Sequence, residues 1–174
     1  MTTDHTTPNV TGSATGLKGR SVFITGGASG IGRAVALHAA KGGARVTIAD
    51  LDETKGSEVV REIEHFGGEA MFARCDVTDE AQIREAVNAT KARFGALHAA
   101  CNGAGMVFMG VRVHEIPVDF WDKVTAVNLR GTFLCMKYEL EAMLEAGGGA
   151  IVNIASTAAV ASFKNSAEYC ATKA

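Results

Sequence analysis

From Leu17 onward, short runs of apolar and β-branched residues alternate with longer stretches whose apolar positions recur every three or four residues. The short runs, 22–25, 45–50, 70–75, 97–101 and 150–155, read as strands. The longer stretches, 31–41, 53–66, 80–94 and 120–145, read as amphipathic helices. Repeated strand–helix units of this kind predict an α/β fold: a Rossmann-like, doubly wound parallel sheet. Local signals agree with these boundaries. Asp79 stands where it can cap the third helix, and Gly67-Gly68 and Gly95 stand where the second and third helices need a left-handed residue to stop. Pro8 and Pro117 are the only prolines, so no proline-rich linker divides the chain. Residues 1–16 read as a flexible tail and residues 17–174 as one domain.

Composition narrows the class. The 174 residues are 47% hydrophobic and 21% charged, which suits one globular domain. A net charge of -2 and a pI near 6.2 provide no basic field for nucleic acid or an anionic membrane. The partner expected is a small molecule. Cys75, Cys101, Cys135 and Cys170 lie too far apart for a zinc or dithiol motif, so reduced, mostly buried thiols are expected and no metal is called for. The Thr-rich start carries Asp4 and no apolar core, unlike a signal or transit peptide. No apolar run reaches the roughly 20 residues of a membrane span. A soluble, cytoplasmic protein is the expectation.

The chemistry concentrates in two places. Thr25-Gly26-Gly27-Ala28-Ser29-Gly30-Ile31-Gly32 follows the first strand and opens the first helix, where a dinucleotide's pyrophosphate would meet free backbone N–H groups. Gly26 permits a tight turn, Gly30 a close approach by phosphate, and Gly32 close packing of helix on strand. Asp50 ends the second strand, in reach of adenosine ribose hydroxyls. Its carboxylate would repel a 2′-phosphate, and the turn itself is uncharged, so NAD is expected over NADP, with Arg33 the one dissenting cation. Asp76-Val77 closes the third strand. The second place is near the end of the chain. Tyr169 and Lys173, spaced i, i+4, share one face if the segment is helical. A phenol titrates near 10, so it needs such an ammonium to act as a base at neutral pH. Ser156 stands at the end of the fifth strand, and Asn128 is a polar residue among apolar helix neighbours that must find a hydrogen-bond partner if buried.

These elements, with Asn102-Gly103-Ala104-Gly105 after the fourth strand, resemble the short-chain dehydrogenase/reductase family over nearly the whole chain after the tail. The turn matches that family's T-G-x-x-x-G-x-G form. Gly103 departs from the N-N-A-G element at its second position, which removes one side-chain contact from a turn. The resemblance implies an NAD(P)-dependent alcohol dehydrogenase or carbonyl reductase that moves a hydride between NAD(H) and a secondary alcohol or ketone. Tyr169 would be the general acid/base and Ser156 would orient the substrate oxygen. Lys173 would bind the nicotinamide ribose and lower the Tyr169 pKa, and Asn128 would hold a relaying water. Gly26, Ser29, Gly30, Ile31, Gly32, Asp50, Asp76, Val77, Asn102, Ala104 and Gly105 would line the cofactor site together with Tyr169 and Lys173.

Two alternatives stand beside this reading: an NADPH-dependent 3-oxoacyl or other carbonyl reductase, and a non-catalytic dinucleotide-binding module. Retention of Ser156, Tyr169 and Lys173 speaks against the second. The apolar stretches 106–113 and 133–138 suit a cyclic or otherwise apolar alcohol. Members of the family continue past the position of Ala174 with further strands and a substrate-covering segment. This chain is therefore expected to be the N-terminal part of a longer enzyme, poorly active by itself, with a homo-oligomer implied for the parent.

Overall fold

The computed structural model describes residues 16–107 and 110–174. The expected tail, 1–15, lies outside the described residues, as do Phe108 and Met109 of the apolar loop. Five strands form one parallel sheet in the order β3-β2-β1-β4-β5: β1 Ser21–Thr25, β2 Arg45–Asp50, β3 Glu69–Arg74, β4 Ala99–Asn102 and β5 Ala150–Asn153. The connecting helices are α1 Gly30–Lys41, α2 Glu53–His65, α3 Glu80–Phe94, α4 Val118–Thr125 and α5 Thr132–Glu145, and α6 Ala167–Lys173 follows β5. The chain winds from β1 to β3 in one direction and returns to β4 and β5 on the other side of β1. That reversal leaves a crevice beyond the carboxyl ends of β1 and β4, the place where open α/β sheets bind ligands.

Alternation along the central strand explains the two cores. Val22 and Ile24 face α1 and α2, where they meet Ala36, Ile48, Val59 and Ile63. Phe23 faces α3 and α5, where it meets Ile83, Leu97, Leu134 and Met143. Each such side chain taken fully out of water contributes about 1.5–3 kcal/mol, so the central strand is held from both sides. Helix ends follow the expected chemistry. Asp79 accepts hydrogen bonds from the Ala81 and Gln82 N–H groups, and Gly95 ends α3 in the left-handed conformation. Gly67 takes a positive φ just after α2, and the Gly68 N–H bonds back to Ile63.

Several boundaries shift by one residue from expectation, and three elements differ by more. β4 begins at Ala99 because Leu97 is a core residue of the preceding turn and the His98 N–H and ring are both engaged by Ser21. β5 stops at Asn153, and the Ile154 carbonyl beyond it accepts from Lys173 instead of from a strand. The single long helix expected over 120–145 starts at Val118 and widens into a π-helical turn at Ala126–Gly131 between α4 and α5. One extra residue per turn rotates the side chains there, and Asn128 lies within it, 3% exposed. β5 forms one edge of the sheet, with Val152 exposed.

Candidate active site

The turn between β1 and α1 is shaped by contacts only glycine tolerates. Gly26 has φ +66°, and a Cβ there would lie 2.8 Å from the Ala104 N. A Cβ at Gly32 would run into the Gly26 carbonyl. Gly30 is different: its surroundings are open, toward the crevice. Ser29 precedes the first turn of α1 without a side-chain capping bond, and no acidic residue occupies that turn. Free N–H groups and the positive end of the helix thus face the crevice, as an anionic diphosphate requires.

That crevice is a cleft of about 460 Å³. Gly26, Ser29, Gly30, Ile31 and Gly32 form its floor, and Asp50, Asp76 and Val77 one wall. Ala104 and Gly105 close the opposite side with Met106. The Asp50 carboxylate is held in place by the Ala28 N–H at 3.0 Å and the Asp52 N–H at 3.1 Å. Asp76 accepts from the Thr78 backbone at 2.9 Å and hydroxyl at 2.7 Å. Arg33 points elsewhere and forms an exposed ion pair with Glu62 of α2.

Asn102, also expected in this lining, is 5% exposed, and its amide turns under the sheet to Glu139 and Asn153. Its influence on the cleft passes through its neighbours. Thr25 Oγ1 accepts from the Ala104 N–H at 3.2 Å and donates to Asn102 Oδ1 at 3.5 Å. Leu51, Cys75, Lys123, Val127 and Ile154 complete the lining and were not singled out from the sequence. Lys123 carried no signal, since Val127, four residues on, was not itself assigned to the cleft. For Ile154 none existed either, because its backbone carbonyl makes the relevant bond.

Of the other four expected residues, Lys173 and Asn128 bond directly to residues that line the cleft. Lys173 donates to the Ile154 carbonyl at 2.8 Å, and its Nζ lies 5.9 Å from the centre of the Tyr169 ring. Asn128 accepts from the Met106 N–H at 2.8 Å and donates to the Met106 carbonyl at 2.8 Å and to Thr172 Oγ1 at 3.2 Å. Its amide therefore joins the loop after β4, the π-helical turn and α6. Ser156 is half-buried, and its hydroxyl accepts from the Ala158 N–H at 3.1 Å. Among the described residues no hydrogen bond joins Ser156 to Tyr169. The geometry thus brings Tyr169, Lys173 and Asn128 together through α6 and leaves Ser156 capping its own turn.

The cysteines are free, with three buried and Cys170 half-buried. Burial, with the nearby Asp76 charge, pushes the Cys75 thiol at the cleft wall up to about 12, which leaves it unreactive at neutral pH. Among the described residues no helix is long and apolar enough to cross a membrane, and no cluster of His, Cys, Asp and Glu could hold a metal ion.

A parallel sheet in this order, with a glycine turn under a cleft at its carboxyl edge, defines a dinucleotide-fold protein. The family model for short chain dehydrogenases matches residues 20–174, and the chain belongs to that family. It is 41% identical over 158 residues to 2,5-dichloro-2,5-cyclohexadiene-1,4-diol dehydrogenase LinX of Sphingobium indicum, a match covering 91% of this chain and 63% of LinX. It is 38% identical over 152 residues to a 3beta-hydroxysteroid dehydrogenase of Mediterraneibacter gnavus, covering 87% of this chain and 55% of that protein. The crystal structure of gox2181 superposes with a TM-score of 0.88 at 31% identity, over 90% of this chain and 62% of that one. A short-chain type dehydrogenase/reductase from Mycobacterium marinum gives 0.85 at 31% identity, over 90% and 64%. The chain thus spans somewhat less than two thirds of the length of these proteins.

Proposed function

We propose that the protein is an oxidoreductase that exchanges hydride between NAD(H) and a secondary alcohol or its ketone. The observation that carries this reading is the cleft itself: an uncharged glycine floor at the start of α1, walled by Asp50, with the Tyr169/Lys173 helix attached to its rim through Ile154. Nicotinamide, when bound, supplies the hydride chemistry, and the protein supplies position and charge. The α1 N–H groups hold the diphosphate, and Asp50 accepts from the adenosine ribose. Tyr169 exchanges a proton with the substrate oxygen, and Lys173, one helical turn on, holds its ammonium beside the ring. Ser156 is assigned to orient that oxygen, which requires its hydroxyl to exchange the Ala158 N–H for substrate. Asn128 holds α6 against the cleft, and a water at its amide would relay protons from Lys173.

The Asp50 carboxylate in the cleft wall and the engagement of Arg33 by Glu62 support NAD over NADP, since the carboxylate would repel a 2′-phosphate and Arg33 is turned to another partner. An apolar, cyclic alcohol is the substrate class we favour, in keeping with the ring-bearing substrates in the names of LinX and the hydroxysteroid dehydrogenase. The test is fluorescence titration of the chain with NADH and NADPH, with Asp50→Ala as control. Binding of NADH over NADPH that is lost in the variant supports the reading, and equal binding of both cofactors, unchanged by the substitution, overturns the assignment to NAD.

A further inference from the structure

A buried carboxyl group sits beneath the sheet on the face covered by α3 and α5. Glu139 occupies an interior position of α5 among Leu134, Cys135, Ala142 and Met143, and is 0% exposed. Its Oε2 accepts from Asn102 Nδ2 at 3.0 Å, while its Oε1 has no partner. Asn102 spends its other amide hydrogen on Asn153 Oδ1, also at 3.0 Å. Thr25, Asn102 and Asn153 are register partners at the last positions of β1, β4 and β5. Their side chains make a polar ladder across three strand ends. The ladder continues from Thr25 Oγ1 to the Ala104 N–H, the atom against which Gly26 is so tightly seated. A group that pulls on Asn102 therefore acts on the turn that closes the cofactor cleft.

We propose that Glu139 is a positioning residue for the cofactor cleft, acting through Asn102 and Thr25 on the 103–105 turn and making cofactor affinity depend on its own protonation. The inference rests on the assignment of the cleft to a dinucleotide. Its electrostatic surroundings are simple. The titratable groups that share its field are the thiols of Cys101 on β4, Cys75 after β3 and Cys135 on α5, all shifted upward and neutral between pH 6 and 8.5. No ion pair reaches it among the described residues. Burial pushes its carboxyl up to about 7, so it changes charge in the neutral range. Neutral, it is a hydrogen-bond acceptor matched to Asn102. Ionised, it is an uncompensated charge under a cleft that receives a dianionic diphosphate. The anion raises the carboxyl's proton affinity, and by reciprocity loss of the proton weakens the anion's binding.

The experiment is NADH titration by fluorescence from pH 6.0 to 8.5 on the chain and on Glu139→Gln and Glu139→Met, with folding checked by circular dichroism. The expected result is a Kd that rises about threefold or more through pH 7 in the parent and stays level in E139Q near the parent's low-pH value. E139M, which removes the acceptor but not the bulk, is expected to be level in pH and severalfold weaker, because Asn102 then loses one of the two acceptors of its amide hydrogens. A merely structural role would lower thermal stability in both variants and leave the shape of the pH profile alone. A level profile in the parent, or one equally steep in either folded variant, overturns the inference while leaving the cofactor assignment intact. Absence of NADH binding by the parent at every pH overturns the cofactor assignment, and this inference with it.

Discussion

The Asn128 amide donates to Thr172 Oγ1 at 3.2 Å across 44 residues of sequence, and through that bond the π-helical turn holds the helix that carries Tyr169 and Lys173. Thr172 also donates to the Tyr169 carbonyl at 2.9 Å, so the contact reaches the residue assigned to proton transfer. Without the extra residue of the π turn, Asn128 would not be aimed at both Met106 and α6.

Asn128→Ala removes three side-chain hydrogen bonds and strands the Met106 N–H and carbonyl. A loss of roughly 1–3 kcal/mol per group left unsatisfied makes this one of the more damaging single substitutions in the chain. Urea unfolding measures it, and a midpoint unchanged from the parent would show that Asn128 is not a structural tie.

Gly32→Ala places a methyl group on the Gly26 carbonyl. The turn must open, so NADH binding is expected to fall at least tenfold, with the secondary structure retained by circular dichroism. Gly30→Ala is the contrast: open space surrounds that position, but its φ of +52° disfavours alanine. A smaller loss of binding is expected there.

Ile24→Ala empties a fully buried position in the central strand. The expected cost is about 2–5 kcal/mol, read from chemical unfolding. A cost under 1 kcal/mol would mean that the sheet repacks around it.

Glu139 gives stability a pH dependence of defined sign. Its folded-state carboxyl titrates at about 7 against an ordinary value of 4.5, so the folded chain holds a proton there that the unfolded chain has released. Stability therefore falls as pH rises from about 4.5 to 7 and is level in this contribution above that. The slope should be shallower in Glu139→Gln, and equal slopes in the two proteins would place the titration elsewhere.

In the oxidoreductase we propose, Tyr169→Phe is expected to lower turnover about 10²–10⁴-fold with the cofactor Kd unchanged. Turnover within twofold of the parent would remove Tyr169 from the role of acid/base.

Sequence pattern alone determined the order of the βα units, the glycine turn between β1 and α1, and the caps at Asp79 and Gly95, because these depend on periodicity and on the local backbone demands of single residues. It also placed Tyr169 and Lys173 one turn apart, since i, i+4 spacing is a property of any helix. Asn102 shows where such reading stops. Its position after β4 was legible, but its amide turns away from the cleft to a carboxyl 37 residues onward, and only the packing of α5 under the sheet decides that. The same holds for Arg33, whose engagement by Glu62 depends on how α1 and α2 lie together, and for Ser156, whose hydroxyl caps its own turn. Local patterns report where the backbone must bend or be buried. Which polar atoms meet across the sheet is settled only when distant segments pack, because the cost of leaving a buried polar group without a partner is felt only once the water around it has been removed.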